Sequence, residues 1–450
     1  MSSTELNQPT SGQTTPKMLR RIVAASMSGT AIEWYDFAIY STSVTLVFGA
    51  LFFPQTGNPL DGILAAFFTY AVGFLARPVG GMVFGHYGDR FGRKALLQVS
   101  ILLIGGATFL MAFLPTYPQV GYWAPICLAL LRFVQGFAVG GEWGGAVLLI
   151  AEHARDDQRG FLASFVQAAA PVGNVIASLV LLILSASMPN AAFVSWGWRI
   201  AFLASAVIAF VGWYVRTRIE DAPIFKEAAE RAEQEKASQP PILEVLKNYP
   251  KKIVLAIGTK FVENIWYWIV ATFSVTYLNY LGVKASNILI LLLAAQFLNI
   301  FVMLLVGRIA DRVGRRPVVF VGIVVSAIWA FVMFPLYETK SLGLALFGIC
   351  VGLVTWSIMY APQSAMFTEM FPTRVRYSGA SISYQVSAIF AGSLAPIIGT
   401  ALLRSTHSSI PISIYVAIAA VISFVSLLFV KETRGISLRE LDEKDRVTNG

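Results

Sequence analysis

The sequence predicts an all-α membrane protein of twelve transmembrane helices, arranged as two pseudo-symmetric halves of six. Three observations predict it: a composition too apolar for a water-facing surface, a series of apolar runs of bilayer-spanning length, and an internal repeat near half the chain length.

Of the 450 residues, 56% are hydrophobic and only 13% charged, whereas soluble domains carry about 25% charged residues. So few charges cannot cover a soluble surface, and most of the chain must face lipid or itself. Cys127 and Cys350 both lie inside apolar runs and read as helix-packing residues rather than a disulfide or metal site. His86, His153 and His407 fall in loops or at span ends, without the spacing of metal ligands. The N-terminal residues 1–21 are polar and read as a disordered cytoplasmic segment. They lack the charged-then-apolar layout of a cleaved signal peptide, so Ile22 opens a retained span.

The apolar runs lie at about 22–50, 60–84, 95–114, 122–150, 160–185, 199–215, 253–280, 286–306, 318–337, 342–367, 378–402 and 411–430. Each is long enough, at 1.5 Å per residue, to cross a core of about 30 Å, the longer ones with tilt or interfacial ends. They do not alternate as barrel strands would, so the spanning elements are helices. With a cytoplasmic N-terminus, the inner segments hold 27 Lys and Arg and the outer segments four (Arg199, Lys284, Lys340, Arg404); three more lie in spans, which accounts for all 34. That asymmetry places both termini in the cytoplasm and the protein in the cell membrane. The net charge of +9 then reflects topology and anionic lipid rather than nucleic acid.

The repeat is visible in three places. GHYGDRFGRK from Gly85 follows span 2 and GRIADRVGRR from Gly307 follows span 8, putting Asp89 and Asp311 222 residues apart. Glu152 and Arg159 recur as Glu369 and Arg376 at an offset of 217, and Gln167 recurs as Gln385 at 218. Two six-helix halves of the same orientation follow, at 22–215 and 253–430, joined by a charged cytoplasmic linker over 216–252 and closed by a cytoplasmic tail over 431–450.

The two loop motifs in register, with RFVQGFAVGG from Arg132, resemble the signatures of the major facilitator superfamily. More narrowly, EWYDFAIY from Glu33, FFP from Phe52, ARPVGG from Ala76 and VGGEWGGA from Val139 resemble the metabolite:proton symporters, carriers of shikimate, α-ketoglutarate, citrate and proline or betaine. FTEMF from Phe367, RYSGA from Arg376, SYQVSA from Ser383 and the Lys260–Glu263 pair are most similar to the shikimate carriers, with Lys260 standing where those carriers hold an arginine. The resemblance runs from about Ile22 to Thr433 and implies the major facilitator fold, transport by alternating access, and no cofactor beyond a coupling proton.

The charged residues have a physical reading of their own. Gly85, Gly88 and Gly92 allow two helix ends and a tight turn to approach closely. Asp89 near the start of span 3 can pair with Arg93 or Arg159, and the second half repeats the set as Asp311, Arg315 and Arg376. Such clusters act as a cytoplasmic latch; the alternative is a loop that only fixes topology. Glu142, near the inner end of span 4, joins that network. Deeper in the membrane, Glu33 and Asp36 share a face of span 1 with Tyr40 one turn on. Glu33 and Arg132 both reach about 15–16 Å into the membrane, from opposite sides. Lys260 and Glu263 stand near mid-depth in span 7. Isolated charges there cost roughly 2.5–3.5 kcal/mol each, and they mark solute and ion pathways more often than structural pairs.

These assignments give proton coupling to Glu33 and Asp36. Arg132 and Lys260 would hold a substrate carboxylate, Gln135, Gln167 and Gln385 its hydroxyls, and Tyr40 and Glu263 complete the binding set. Arg77 is read as snorkelling towards the cytoplasmic face. Trp143, Trp266 and Trp268 are read as belt or packing residues, with a cation cage as the alternative. No P-loop and no extramembrane catalytic domain is apparent, so neither ATP-driven export nor an enzyme is expected. What remains is secondary transport by a monomer: proton-coupled uptake of a small organic acid, shikimate-like or a di- or tricarboxylate. A proton-coupled proline or betaine carrier is the alternative, and a non-transporting membrane sensor lies further off.

Overall fold

The computed structural model describes residues 16–91, 93–140, 150, 158–220, 241–435, 440 and 443, and the side chains within them except at 16–22, 25, 84–91, 93–97, 215–220, 241–243 and 374. Over these residues the chain is helical, in the twelve long elements that the apolar runs require. In the first half they are α1 (Pro16–Ser43), α2 (Pro59–Phe91), α3 (Arg93–Met111), α4 (Trp123–Val139), α5 (Arg159–Ser187) and α6 (Trp198–Glu220). In the second they are α7 (Pro250–Trp268), α8 (Ala285–Val313), α9 (Arg315–Glu338), α10 (Leu342–Met370), α11 (Thr373–Ser387) and α12 (Ile410–Leu428). α7 and α11 continue beyond a π-helical turn, as Ser274–Tyr280 and Leu394–Thr406.

Helix ends overshoot the apolar runs. α1 begins at Pro16, inside the segment expected to be disordered, because nothing in Lys17–Arg21 breaks a helix and the bilayer boundary is not a helix boundary. α2 runs on through Gly85 to Phe91, so most of the expected loop motif is helix and not turn. Its second copy behaves likewise, α8 ending at Val313 and turning at Gly314, whose φ of 120° suits glycine.

The helix pairings show the repeat in three dimensions. In the first half α1 packs on α5 and α6, α2 on α4, and α3 on α4 and α6; in the second α7 packs on α11 and α12, α8 on α10, and α9 on α10 and α12. Every pairing recurs six helices later. One irregularity repeats as well: π-helical turns follow the first helix at Val44–Phe48 and the seventh at Ile269–Phe273, 225 residues on, whereas those at Phe193–Gly197 and Ala388–Ser393 have no counterpart among the described residues. The halves meet where α5 lies against α8 and α10, and where α2 lies against the outer part of the eleventh span.

Small residues set the depth of these contacts. A Cβ on Gly136 would fall 1.8 Å from the Gly73 carbonyl oxygen, and one on Gly140 would fall 2.1 Å from that of Arg77. α2 and α4 therefore touch backbone to backbone, as small-xxx-small spacing allows in lipid.

Candidate functional site

The buried ionisable residues gather midway between the two halves. Five helices, α1, α2, α7, α10 and α11, enclose a small cavity. Its polar lining is Glu33, Arg77, Glu263 and Asn264, and its walls are aromatic, with Trp34, Trp268, Trp356 and Tyr360 among them. The room left for a water-sized sphere is about 20 Å³, enough for one water. In this conformation the space is closed.

Each charge is held by its own surroundings. The α2–α4 contact lays Arg132 against Gly73, whose Cβ would fall 2.9 Å from Arg132 Nε. There the guanidinium faces the rings of Phe37, Tyr40 and Tyr70 at 4.6, 4.4 and 4.5 Å. Its Nη1 donates to Gln135 Oε1 (2.9 Å), Gln135 Nε2 donates to Thr108 Oγ1, and Arg132 Nε and Nη2 have no partner. Asp36 is buried nearby, facing Thr108 and Arg132, with neither carboxylate oxygen hydrogen-bonded. Among the described residues no ion pair within 4.0 Å joins the two. Tyr40 donates to or accepts from Thr69 Oγ1 at 2.8 Å.

Arg77 is one turn from Gly73 on α2, at the helix's internal Pro78. It is buried, not snorkelling, because its guanidinium lies over Phe37 (4.6 Å) and Phe74 (4.4 Å) in the cavity wall. Its Nη2 is 4.0 Å from Glu33 Oε1, beyond hydrogen-bond range, and its Nε has no partner. In the second half Lys260 Nζ donates to Glu263 Oε2 and lies 4.5 Å from the Tyr384 ring, while Trp356 Nε1 donates to Glu263 Oε1 at 2.6 Å. Both oxygens of Glu263 are thus engaged within its own half. The π-helical turns Ile269–Phe273 and Ala388–Ser393 begin where α7 and α11 leave the cavity, a placement such turns often have at functional sites.

Of the residues expected to couple protons, Glu33 lines the cavity and Asp36 stands behind it. Of those expected to bind substrate, Glu263 lines it, whereas Tyr40, Arg132, Gln135, Gln167, Lys260 and Gln385 lie in the layer around it. Gln167 Nε2 donates to the Tyr360 carbonyl oxygen (3.2 Å), and the Oε1 atoms of Gln167 and Gln385 are buried without partners. Sequence reasoning missed Arg77 as a wall residue, along with Trp34, Phe74, Trp356 and Tyr360. No spacing in the sequence says which way Arg77 faces, because that follows from the packing of α2 against α4. Trp268 lines the cavity; Trp266 instead donates to the Gly352 carbonyl (2.9 Å) and Thr355 (2.8 Å) away from it. Trp143 and Glu142 lie outside the described residues.

A second cluster ties the halves at the end that carries the basic loops. Asp311, at the end of α8, accepts the backbone N–H groups of Gly160 (2.8 Å) and Phe161 (2.7 Å) in the first turn of α5. Arg315 Nη2 lies 3.0 Å from Asp311 and 3.3 Å from Glu369 Oε1, which also takes Arg159 Nη1 at 3.1 Å. Thr433, beyond α12, donates to Glu369 Oε2. Arg376 donates to the Phe371 carbonyl at the same end (3.1 Å). The side chains of Asp89 and Arg93 lie outside the described residues. At the opposite end Arg404 pairs with Asp61, and Thr45 shares a hydrogen bond of 2.7 Å with Thr276, so the halves are joined there too.

Known proteins resemble the chain throughout its length. It is 37% identical over 426 residues to the inner membrane metabolite transport protein YhjE of Escherichia coli (strain K12), covering 93% of this chain and 95% of that one. It is 35% identical over 441 residues to the shikimate transporter of the same organism, covering 96% and 100%. Among solved structures, the proton:xylose symporter XylE bound to 6-bromo-6-deoxy-D-glucose superposes with a TM-score of 0.72 at 20% identity, over 95% of this chain and 98% of that one. The profile of the Major Facilitator Superfamily matches residues 23–396 and, in a second overlapping match, 265–447. The twelve helices, their six-by-six repeat and the closed cavity between the halves are thus those of a membrane transporter, and the chain belongs to the major facilitator superfamily.

Proposed function

We propose that the protein is a secondary active transporter that takes up a small organic acid with a proton, by alternating access. The observation that carries this reading is the closed cavity at the interface of the halves, where carboxylates stand opposite guanidinium groups that have unused donors. Arg77 Nη2 stands 4.0 Å from Glu33 Oε1 and Arg77 Nε has no partner, while Asp36 faces Arg132 and neither of its carboxylate oxygens is hydrogen-bonded. A carboxylate buried in this way exchanges a proton as its surroundings change, and a guanidinium with free N–H groups accepts a carboxylate from outside. Proton and substrate anion then compete for the same positive charge, which couples their movements. Similarity to the shikimate transporter supports an acid as substrate, and the excess of Lys and Arg on one side supports cytoplasmic termini in a bacterial inner membrane.

The experiment is uptake into proteoliposomes with and without an imposed pH gradient. Glu33→Gln and Asp36→Asn should each be tested for gradient-driven accumulation and for exchange of internal against external solute. Loss of accumulation with exchange retained, in either variant, is the expected result; full proton-driven accumulation in both removes these residues from the coupling. A second reading has one observation in its favour: the rings of Trp34, Trp268 and Trp356 around the cavity would suit a quaternary ammonium such as glycine betaine.

A further inference from the structure

We propose that Arg77 is the anchor for the substrate carboxylate, and that the substrate is an acid carrying a single negative charge on a flat or ring-shaped body. The inference rests on the organic-acid reading above and narrows it. It starts from which positive charges a solute in the cavity can reach. Arg132 stands behind the rings of Phe37, Tyr40 and Tyr70. Lys260 is bound to Glu263 in its own half. Arg77 alone among the described cations lines the cavity, and its Nε has no partner while its nearest carboxylate oxygen is 4.0 Å away. A guanidinium so placed presents its fork to one carboxylate.

That count limits the charge of the cargo. A second or third carboxylate would meet Glu33 and Glu263 in the same wall with no further cavity-lining cation among the described residues to oppose it, and burying like charges together is costly. The walls limit its shape. Trp34 and Trp268 lie nearly parallel (18°) with centroids 6.1 Å apart, and Trp356 and Tyr360 are likewise parallel (18°) at 4.6 Å. These stacked pairs leave no gap of their own, but with Phe37, Phe74, Tyr267 and Tyr384 they make the cavity wall largely aromatic, and such a wall favours a planar or cyclic body packed against it. The hydroxyl of Tyr360 is buried beside that of Tyr384 in the same wall, where a substrate hydroxyl could meet it. An ammonium group fits less well, since Glu263 is already satisfied by Lys260 and Trp356 and Arg77 would be its neighbour.

The test uses the full-length protein in proteoliposomes under a pH gradient, with binding also followed by tryptophan fluorescence. The probes are shikimate and 4-hydroxybenzoate as ring monocarboxylates, 2-oxoglutarate and citrate as open-chain di- and tricarboxylates, and glycine betaine as a zwitterion. The ring acids should bind and compete best. Arg77→Gln should weaken their binding roughly 10- to 150-fold, the range expected for loss of a charged hydrogen bond, and Arg77→Lys should recover part of it. Arg132→Gln, folded and reconstituted alongside, should change affinity less than Arg77→Gln. If citrate or 2-oxoglutarate binds as tightly as the ring acids, or Arg77→Gln leaves affinity unchanged, the inference falls while organic-acid uptake stands. If only glycine betaine is accumulated, or no acid is, both readings fall. Should Arg77→Gln not fold, Arg77→Lys decides the anchor, since loss of the guanidinium fork should still weaken the ring acids and unchanged affinity overturns it, while the ranking of probes on the wild type decides charge and shape.

Discussion

Replacing Asp311 by Asn should open the end of the molecule that carries the basic loops. The carboxylate accepts two backbone N–H groups from the start of α5 and lies 3.0 Å from Arg315. Asparagine keeps the shape but offers one acceptor oxygen, so one of the two N–H groups then faces an amide N–H. Removing one charged hydrogen bond costs roughly 1.5–3 kcal/mol, and loss of a negative charge at a helix N-terminus adds about 0.3–1 kcal/mol. Arg315 keeps Glu369 as a partner and is not stranded, which holds the sum to roughly 2–3 kcal/mol. At 1.4 kcal/mol per tenfold, the closed-to-open ratio at this end should fall about 30- to 150-fold.

The measurement is spin-label distance between the ends of α5 and α8, in wild type and variant. Gly307→Ala supplies an independent route to the same state. Its Cβ would fall 2.5 Å from Ser164 Cβ and 2.9 Å from the Gly160 carbonyl oxygen, so α8 could no longer seat against α5. Both variants should lengthen the distance and slow turnover, while solute affinity changes only as far as the population shift requires. Unaltered distance distributions in both, with normal folding, would refute a state-specific role for this contact.

Arg404→Gln at the opposite end should have a small effect, at most about 1 kcal/mol or some fivefold, because the Arg404 side chain is 48% exposed. Labelling of a cysteine placed in the outer part of α2 should rise to match and should depend on salt in the wild type; salt-independent labelling would show that the pair does not hold this end. Glu432 should hold the tail against α9 at neutral pH. Burial alone would raise its carboxyl, but the backbone N–H groups of Arg315, Arg434, Arg316 and Thr433 hold it below the usual glutamate range. Its contribution is therefore complete above the ordinary glutamate value and lost only as pH falls through the lowered one. Glu432→Gln should loosen the tail at neutral pH and cease to differ from wild type once the pH falls below the lowered value, read by protease sensitivity; equal protection at pH 7 would count against the contact.

The helices were legible because lipid demands long apolar runs, and the repeat because the same loop chemistry recurs at Asp89 and Asp311. Hydropathy could not say where helices end, so α1 starts at Pro16 and the loop motif is largely helical. The depth of each buried charge was legible by counting residues; its azimuth was not. Arg132 and Arg77 illustrate the difference. Both lie in apolar spans, but which way each faces follows from how α2 and α4 pack through Gly73 and Gly136, a contact that a linear count does not contain. The cavity wall is aromatic for the same reason: Trp34, Trp268 and Trp356 converge only when the two halves face each other.

The two closures are built from different chemistry, and this sets which opens more readily. At the basic end Arg159, Arg315 and Glu369 are almost wholly buried, and α5 meets α8 through glycine backbone, so the contact breaks as a unit or not at all. At the other end the packing of α2 against the outer part of the eleventh span is supplemented by one buried hydroxyl bond and an ion pair whose Arg404 is half exposed, and water replaces that ion pair at little cost. The end opposite the basic loops is therefore expected to open with less work than the basic end, where the buried charged cluster must come apart. The route for that work is a single rigid element. α10 carries Trp356 and Tyr360 in the cavity wall and Glu369 in the buried cluster, nine residues beyond Tyr360 or about 13 Å along the axis. α5 is tied to it at both levels, by Gln167 to the Tyr360 carbonyl and by Arg159 to Glu369. On the proposed reading, a solute that parted the rings of α10 from those of α1 would be expected to strain the cluster at the far end of the same helix, and Glu369→Gln should weaken that link, read as the distance between the ends of α5 and α10 with and without solute.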